Sequence, residues 1–211
     1  MSNGSAYEGP VPAGIGNCER CPFLETGTSL ICYRCARETI EPLPGASRRC
    51  PVCDLQYESG ESECRNPLCS WDDRYFDWNF AIAMRTGVLE RALSRYKYEG
   101  RSGWRLIFGR VLVGFLDDHA ATFDDFGLIT YSPTFTGEGG RPFDHTWEVI
   151  QVAAFESRGR WPFDIGDPPT IVKTGATTAL VGHTWRQRKA IAETEVRAAL
   201  SVPDPSRVRN N

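Results

Sequence analysis

Cysteine is absent beyond position 69, and lysine is rare throughout, with three lysines against 21 arginines. No apolar run approaches the roughly 18 residues of a membrane-spanning helix, so we expect no membrane protein. Residues 1–17 lack the basic and apolar regions of a secretory signal peptide, which predicts a cytoplasmic protein with reduced thiols. The formal net charge of -3 disfavours nucleic-acid binding through bulk electrostatics, although a local basic patch stays compatible with it.

The eight cysteines that the sequence does contain fall into two sets with nearly the same spacing. The sets are offset by 32 residues at their first three cysteines and by 34 at the last, which indicates a duplicated unit. The two patterns are Cys18-x2-Cys21-x10-Cys32-x2-Cys35 and Cys50-x2-Cys53-x10-Cys64-x4-Cys69.

A C-x2-C turn presents two thiolates to one cation, and a second pair about ten residues later can complete a tetrahedral site. The alternative is a disulfide framework, which requires an oxidising compartment and which the short spacings disfavour. We therefore predict that all eight cysteines bind metal, as two zinc ions with four thiolates each. Pairing each set with its own ion gives two zinc ribbons. This is the favoured arrangement, whereas a cross-braced pairing would exchange the second and third cysteine pairs.

The composition divides the chain into four segments. Residues 1–17 form a polar leader, 18–69 the double zinc ribbon, 70–84 an aromatic connector and 85–211 an α/β domain. The connector crowds five aromatic residues among three aspartates. Because these acids would repel phosphates, the connector is predicted to dock the ribbons against the next domain rather than to stack nucleic-acid bases.

Hydrophobic periodicity and capping signals predict the elements of the α/β domain. Two amphipathic helices come first, and a buried central strand, a glycine-rich loop and a third helix follow. A short strand and a helix that opens with a capping box complete the domain. In chain order the predicted elements are a helix from Arg85 to Gly100, a helix after Ser102, a strand at Leu128 to Tyr131, a loop at Thr134 to Phe143, a helix from Asp144 to Ser157, a strand at Thr170 to Lys173 and a helix from Thr184.

Four features in this order resemble the ComF-like family of type I phosphoribosyltransferases. They are the cysteine array, the segment RYKYEG at 95–100, the strand ending in Tyr131-Ser132-Pro133, and the segment RPFDH at 141–145. The resemblance implies a phosphoribosyltransferase-like α/β domain in which the loop before Arg141 binds diphosphate, with Arg141 as its charge partner. It also implies that Lys173 and Arg186 lie over the acceptor base.

The chain departs from that family in one respect that decides activity. Members carry two acidic residues followed by Thr-Thr-Gly, which hold the ribose and its phosphate, and no such sequence occurs here. The domain is therefore predicted to be partial and the chain inactive, with no residue assigned as catalytic and Mg²⁺ needed only if a complete site existed. The alternative function is a non-enzymatic zinc-ribbon adaptor for a protein or nucleic-acid partner. A protein partner or a homodimer paired through the sheet edge is expected, and nucleic acid is not favoured.

Overall fold

The computed structural model describes residues 48–72, 74 and 76–209, so the predicted leader at 1–17 and the first cysteine set lie outside the described residues. The described part of the chain is mainly helical and contains one two-stranded sheet. Its elements are a 3-10 helix (Pro67–Ser70), α1 (Gly87–Tyr98), α2 (Trp104–Asp118), α3 (Ala120–Phe123), α4 (His145–Ser157), β1 (Val172–Lys173), α5 (Trp185–Ile191), a π-helical segment (Ala192–Val196), α6 (Arg197–Ala199), β2 (Leu200–Ser201) and α7 (Ser206–Arg209).

The predicted helices form where their capping signals stand. The Asp144 carboxylate accepts hydrogen bonds from the backbone N–H groups of Thr146 and Trp147 and so begins α4. At α5, Thr184 and Gln187 form the reciprocal capping box that the sequence predicts. Among the described residues, no helix combines the length and apolar character that crossing a membrane requires.

Helices α2 and α4 form the centre of the helical fold. They approach closely at Gly109, where an added Cβ would lie 2.6 Å from Cγ1 of Val152. The next residue, Arg110, is buried, and its guanidinium donates to Oε1 of Glu156, one turn along α4 from Val152, through two nitrogens at 2.8 and 2.6 Å. Helices α2 and α4 are therefore held together by close packing at Gly109 and by the two charge-assisted hydrogen bonds between Arg110 and Glu156.

Two apolar clusters extend this helix pair at its two ends. The first joins α1 to α2 through Ala92, Tyr96, Trp104 and Ile107, which are almost fully buried. In the second, residues of α2 and α3 pack against Trp161, whose indole N–H donates to Asp117 at 2.9 Å. Full burial of such side chains stabilises a fold by about 1.5–3 kcal/mol each, so these clusters account for much of the stability of the helical part.

The sheet differs from the predicted α/β arrangement. The predicted strand at 170–173 is confirmed over its last two residues as β1, which pairs antiparallel with β2 through Val172↔Ser201 and Lys173↔Leu200. The predicted central strand at 128–131 is wrong, because this segment makes only one isolated parallel bridge, Ile129↔Phe163.

Proline explains why the bridge does not extend into a ladder. Pro133 follows the extended segment 128–131. On the other side of the bridge, Pro162 directly precedes Phe163, and Pro168 and Pro169 come soon after it. Because proline has no backbone N–H to donate, Pro162 cannot extend the ladder on one side of the bridge, and Pro133 limits its length on the other. The periodicity of 128–131 identified a half-buried extended segment but not the partner that a strand needs.

A buried acid fastens the last part of the chain to this extended segment. Asp164 accepts hydrogen bonds from the Thr170 N–H at 2.8 Å and the Thr130 hydroxyl at 3.0 Å. It also pairs with Arg207 at 2.6 Å, and Arg207 donates in addition to the Pro168 carbonyl. The contact joins positions 43 residues apart, and no local sequence pattern announces it.

Candidate metal centre

The first half of the candidate centre is a tight turn that carries Cys50 and Cys53. The Asp54 N–H donates to the Cys50 carbonyl at 2.9 Å, and the Cys50 N–H donates to the Leu55 carbonyl at 2.8 Å. A backbone bridge between Arg49 and Gln56 closes the base of this turn. The two-residue spacer therefore folds so that both thiols face the same side.

The second half uses the 3-10 helix to place Cys64 and Cys69. Asn66 caps that helix by accepting from the Leu68 N–H at 3.1 Å, and Pro67 occupies its first turn, where a missing N–H costs nothing. The Cys69 N–H donates to the Asn66 carbonyl. This helical turn accounts for the four-residue spacer that distinguishes the last knuckle from the other C-x2-C turns.

The four sulfur atoms converge on one point. Cys50 Sγ lies 3.8 Å from Cys69 Sγ, Cys53 Sγ lies 3.5 Å from Cys64 Sγ, and Cys64 Sγ lies 3.6 Å from Cys69 Sγ. All four lie within 4.8 Å of one another. Sulfurs bound tetrahedrally at about 2.3 Å from an ion stand about 3.8 Å apart, whereas a disulfide bond measures about 2.05 Å. The group is thus arranged to hold one metal ion, and the four cysteines are free thiols.

Backbone N–H groups support two of the sulfurs. Val52 N–H donates to Cys50 Sγ and Asn66 N–H donates to Cys64 Sγ, both at 3.4 Å. Burial raises the pKa of Cys50, but hydrogen bonds from the Cys53 and Val52 backbones outweigh it and bring the pKa to about 7. Burial raises the pKa of Cys64 and Cys69. The turn therefore favours a thiolate at Cys50, and a bound cation would favour thiolates at Cys64 and Cys69.

The chain after the last cysteine returns across the turn and fixes it. The Asn79 side chain donates to the Cys53 carbonyl at 3.1 Å, and the Ala81 N–H donates to the Asp54 carboxylate at 2.8 Å. Asp54 also forms an ion pair with Arg49 at 2.8 Å. Sequence reasoning missed these supporting residues, because Asn79 and Asp54 carry no spacing signal that relates them.

The aromatic connector docks onto the helical part, in agreement with its sequence-based interpretation. Trp71 meets Trp185 of α5 edge to face with ring centroids 5.5 Å apart, and Lys189 Nζ lies 4.1 Å above the Trp71 ring. Further along, Phe80 contacts Phe123 at 5.0 Å in the same geometry. Trp71 and Phe80 thus both contact side chains of the helical part.

The three predicted substrate-binding residues make separate contacts. Arg141 lies over the Tyr98 ring at 5.0 Å and reaches Nδ1 of His145 at 3.5 Å. Lys173, on β1, donates to the Thr177 hydroxyl at 2.7 Å. Arg186 is exposed on α5. No contact within the described part of the chain brings any two of the three together.

The glycine-rich loop before α4 uses its backbone donors internally. Gly140 N–H donates to the Gly137 carbonyl, and Arg141 N–H donates to the Phe135 carbonyl, at 2.8 and 2.9 Å. The Thr134 N–H donates to Asp144, which also caps the start of α4. These amides, together with those of Thr146 and Trp147 at the start of α4, are already paired and so do not face an anion.

The set Cys18, Cys21, Cys32 and Cys35 lies outside the described residues, so the second predicted metal ion stays a prediction. The set Cys50, Cys53, Cys64 and Cys69 is brought together as one candidate centre. Comparison of the chain with family models, with curated proteins and with solved structures finds no match, so the interpretation of this centre rests on its own geometry.

Proposed function

We propose that this chain is a zinc-dependent adaptor that binds a protein partner and has no phosphoribosyltransferase activity of its own. The observation that carries the proposal is the closed group of four sulfurs formed by Cys50, Cys53, Cys64 and Cys69. Four thiolates complete a tetrahedral zinc site and leave no position for water or substrate. Such a centre organises a fold and does not catalyse.

Zinc is the ion that this donor set favours. Thiolate ligands at a tetrahedral spacing suit Zn²⁺ or an iron–sulfur cluster, and hard cations such as Mg²⁺ prefer oxygen ligands. A single ion fits the 3.5–3.8 Å separations between neighbouring sulfurs. We extend the proposal to the first cysteine set, which gives two zinc ions per chain.

A protein partner is favoured over nucleic acid because of what the connector does. Trp71 contacts Trp185 and lies below Lys189, and Phe80 contacts Phe123, so both rings pack against the helical part of the chain. The net charge of -3 also opposes the accumulation of phosphates. The connector instead joins the metal centre to the helical part and makes both into one scaffold for a partner.

The resemblance to ComF-like phosphoribosyltransferases remains a second proposal, which concerns descent rather than activity. The order of the glycine-rich loop, Arg141 and the capped helix α4 supports it. The paired amides of Gly140, Arg141 and Thr146 count against tight diphosphate binding at this place. Any diphosphate would depend on Arg141 with few backbone donors.

Two measurements test the proposal on the full chain. Metal analysis after purification without a tag is expected to give two zinc ions per chain, and protein without zinc or with oxidised thiols would contradict the zinc assignment. Calorimetry with Mg²⁺ and phosphoribosyl diphosphate is expected to show binding no tighter than about millimolar, near -4 kcal/mol. Micromolar binding that Arg141→Ala abolishes would instead establish a donor site and overturn the adaptor proposal.

A further inference from the structure

A cavity of about 480 Å³ opens between α1, α2 and α4, on the other side of the helical part from the Arg110–Glu156 pair. This volume falls within the range of roughly 300–1,000 Å³ that small-molecule sites occupy. Most of its wall is apolar and aliphatic, with Leu89, Leu93, Val111 and Val149 as examples. The walls therefore suit a hydrocarbon chain better than a flat polar ring.

Cations and no acids stand among the residues that line this cavity. Arg85 and Lys97 line it directly. His145 also lines it, with its Nδ1 3.5 Å from Nη1 of Arg141, but burial and the charges of Arg141 and Lys97 lower the pKa of His145 to about 4, so it adds no charge near neutral pH. Neither Arg85 nor Lys97 forms an ion pair with a residue in the described part of the chain. Burial, together with the charges of Arg141 and Arg85, lowers the pKa of Lys97.

Two acids of α4 and its cap are engaged with other partners. Asp144 accepts from Thr146 and Trp147 with one oxygen and from Thr134 with the other. Glu148 pairs with Arg105 at 3.4 Å on the far side of α4. Neither acid forms an ion pair with Arg85 or Lys97, so an anionic ligand can pair with these two cations.

We propose that this cavity binds an aliphatic carboxylate of medium chain length, with its hydrocarbon chain against the aliphatic wall and its carboxylate at Lys97 and Arg85. The Lys97 ammonium and the Arg85 guanidinium donate charge-assisted hydrogen bonds to the carboxylate, and binding relieves their mutual repulsion. The apolar walls exclude water from the chain, which supplies the non-directional part of the affinity. The site is separate from the metal centre and independent of the adaptor proposal.

Calorimetry with dodecanoate, below its micellar concentration, tests the proposal on the full zinc-loaded chain. We expect saturable binding to one site in the micromolar range, with dodecanol at least about tenfold weaker because it lacks the charge. Lys97→Met, which keeps the length of the side chain, is expected to raise the Kd by about tenfold or more. Leu89→Trp is expected to fill the cavity and to abolish binding.

Arg91→Gln provides the matched control, because Arg91 lies exposed on the same helix and does not line the cavity. Thermal unfolding of each variant shows whether it folds. Equal loss of affinity in Arg91→Gln and Lys97→Met would overturn the proposal, as would equal affinity for dodecanol and dodecanoate. Absence of binding to the full chain also overturns it. Displacement of dodecanoate by inorganic phosphate would do the same, because it would show a site for the anion alone.

Discussion

The metal-binding segment, residues 48–72, and the helical body, residues 87–209, are stabilised in different ways. In the metal-binding segment only Cys50 and Cys53 are buried. The helical body buries large side chains such as Tyr96, Trp104 and Ile107. A segment of this size cannot enclose an apolar core, so the metal takes over the role that packing has in the body. Four experiments test this difference.

Metal removal should produce the largest effect and should confine it to the metal-binding segment. Zinc binding to such a site contributes roughly 10–16 kcal/mol, so Cys53→Ser or chelation is expected to unfold residues 48–72. Helices α2 and α4 should keep their protection, because their contacts do not involve the ion. Amide hydrogen exchange followed by mass spectrometry resolves the two regions.

Ser70→Ala is the control for that experiment, since the Ser70 hydroxyl donates only to the Pro67 carbonyl near the ligands. It should retain zinc and the exchange pattern of the unaltered chain. If α2 and α4 lose protection together with residues 48–72 after chelation, the helical body depends on the metal and the contrast between the regions disappears.

Breaking the buried ion pair of the helical body should give the second largest effect on stability. Arg110→Met leaves the Glu156 carboxylate buried without its cation, at an expected cost of about 3–5 kcal/mol. Replacing both residues, as Arg110→Met with Glu156→Leu, should recover most of that loss. Urea unfolding, monitored by the helical circular dichroism signal, measures the free energy of unfolding of each variant. The zinc content should stay unchanged.

Arg105→Met offers a comparison on the same helix. The Arg105–Glu148 pair spans 3.4 Å and is partly exposed, so its loss should cost about 0–1 kcal/mol. Equal destabilisation by Arg105→Met and Arg110→Met would show that burial does not distinguish the two pairs.

Acid should weaken the helical body through Asp164. Burial raises the pKa of this carboxyl, but hydrogen bonds from Thr170 and Thr130 and the charge of Arg207 outweigh it and lower the pKa below its usual value. A pKa lowered by folding gives stability above the unfolded value of about 3.9, and this stability is lost as the pH falls through the folded value.

Protonation of Asp164 weakens the hydrogen bonds that it accepts from Thr130, Thr170 and Arg207, which should lower the free energy of unfolding by about 1–3 kcal/mol. Thermal unfolding between neutral pH and about pH 3, followed by helical circular dichroism, should show a smaller pH dependence in Asp164→Asn than in the unaltered chain. Asp124→Asn, at an exposed position, serves as the control. If the unfolding temperature of Asp164→Asn depends on pH as steeply as that of the unaltered chain, Asp164 is not the source of the acid sensitivity.

The smallest effect should lie at the contact between the two regions. Lys189→Met removes the ammonium above Trp71, at an expected cost of about 0.5–2 kcal/mol. Faster amide exchange near Trp71, with unchanged exchange in α2, would be the expected result. Arg186→Met on the same helix is the control, and equal effects of both variants would mean that the cation–π contact does not hold the regions together.

The sequence predicts best what depends on neighbouring residues. The Thr184–Gln187 capping box and the Asp144 cap are confirmed, because each involves residues at most three positions apart. The grouping of Cys50, Cys53, Cys64 and Cys69 is also confirmed, since the spacing of the cysteines carries it. These features need no knowledge of the rest of the fold.

Features that join distant segments were not predictable in the same way. Residues 128–131 have the composition of a buried strand, but whether a partner exists depends on the prolines around position 163. The Asp164–Arg207 contact and the cavity at Lys97 depend on how helices and loops meet in space. Lys97 stood out in the sequence only as part of a family motif, and its cavity is formed by three helices.

The close approach of α2 and α4 at Gly109 should constrain which residues can occupy positions 109 and 152. A methyl group at position 109 would lie 2.6 Å from Val152 Cγ1 and 3.1 Å from the Ala153 backbone nitrogen, so it would fit only if Val152 became smaller or the two helices moved apart. Relatives of this chain that carry alanine at 109 should carry a residue smaller than valine at 152. Covariation of these two positions would therefore identify chains that share this helix pair even where the cysteines have been lost.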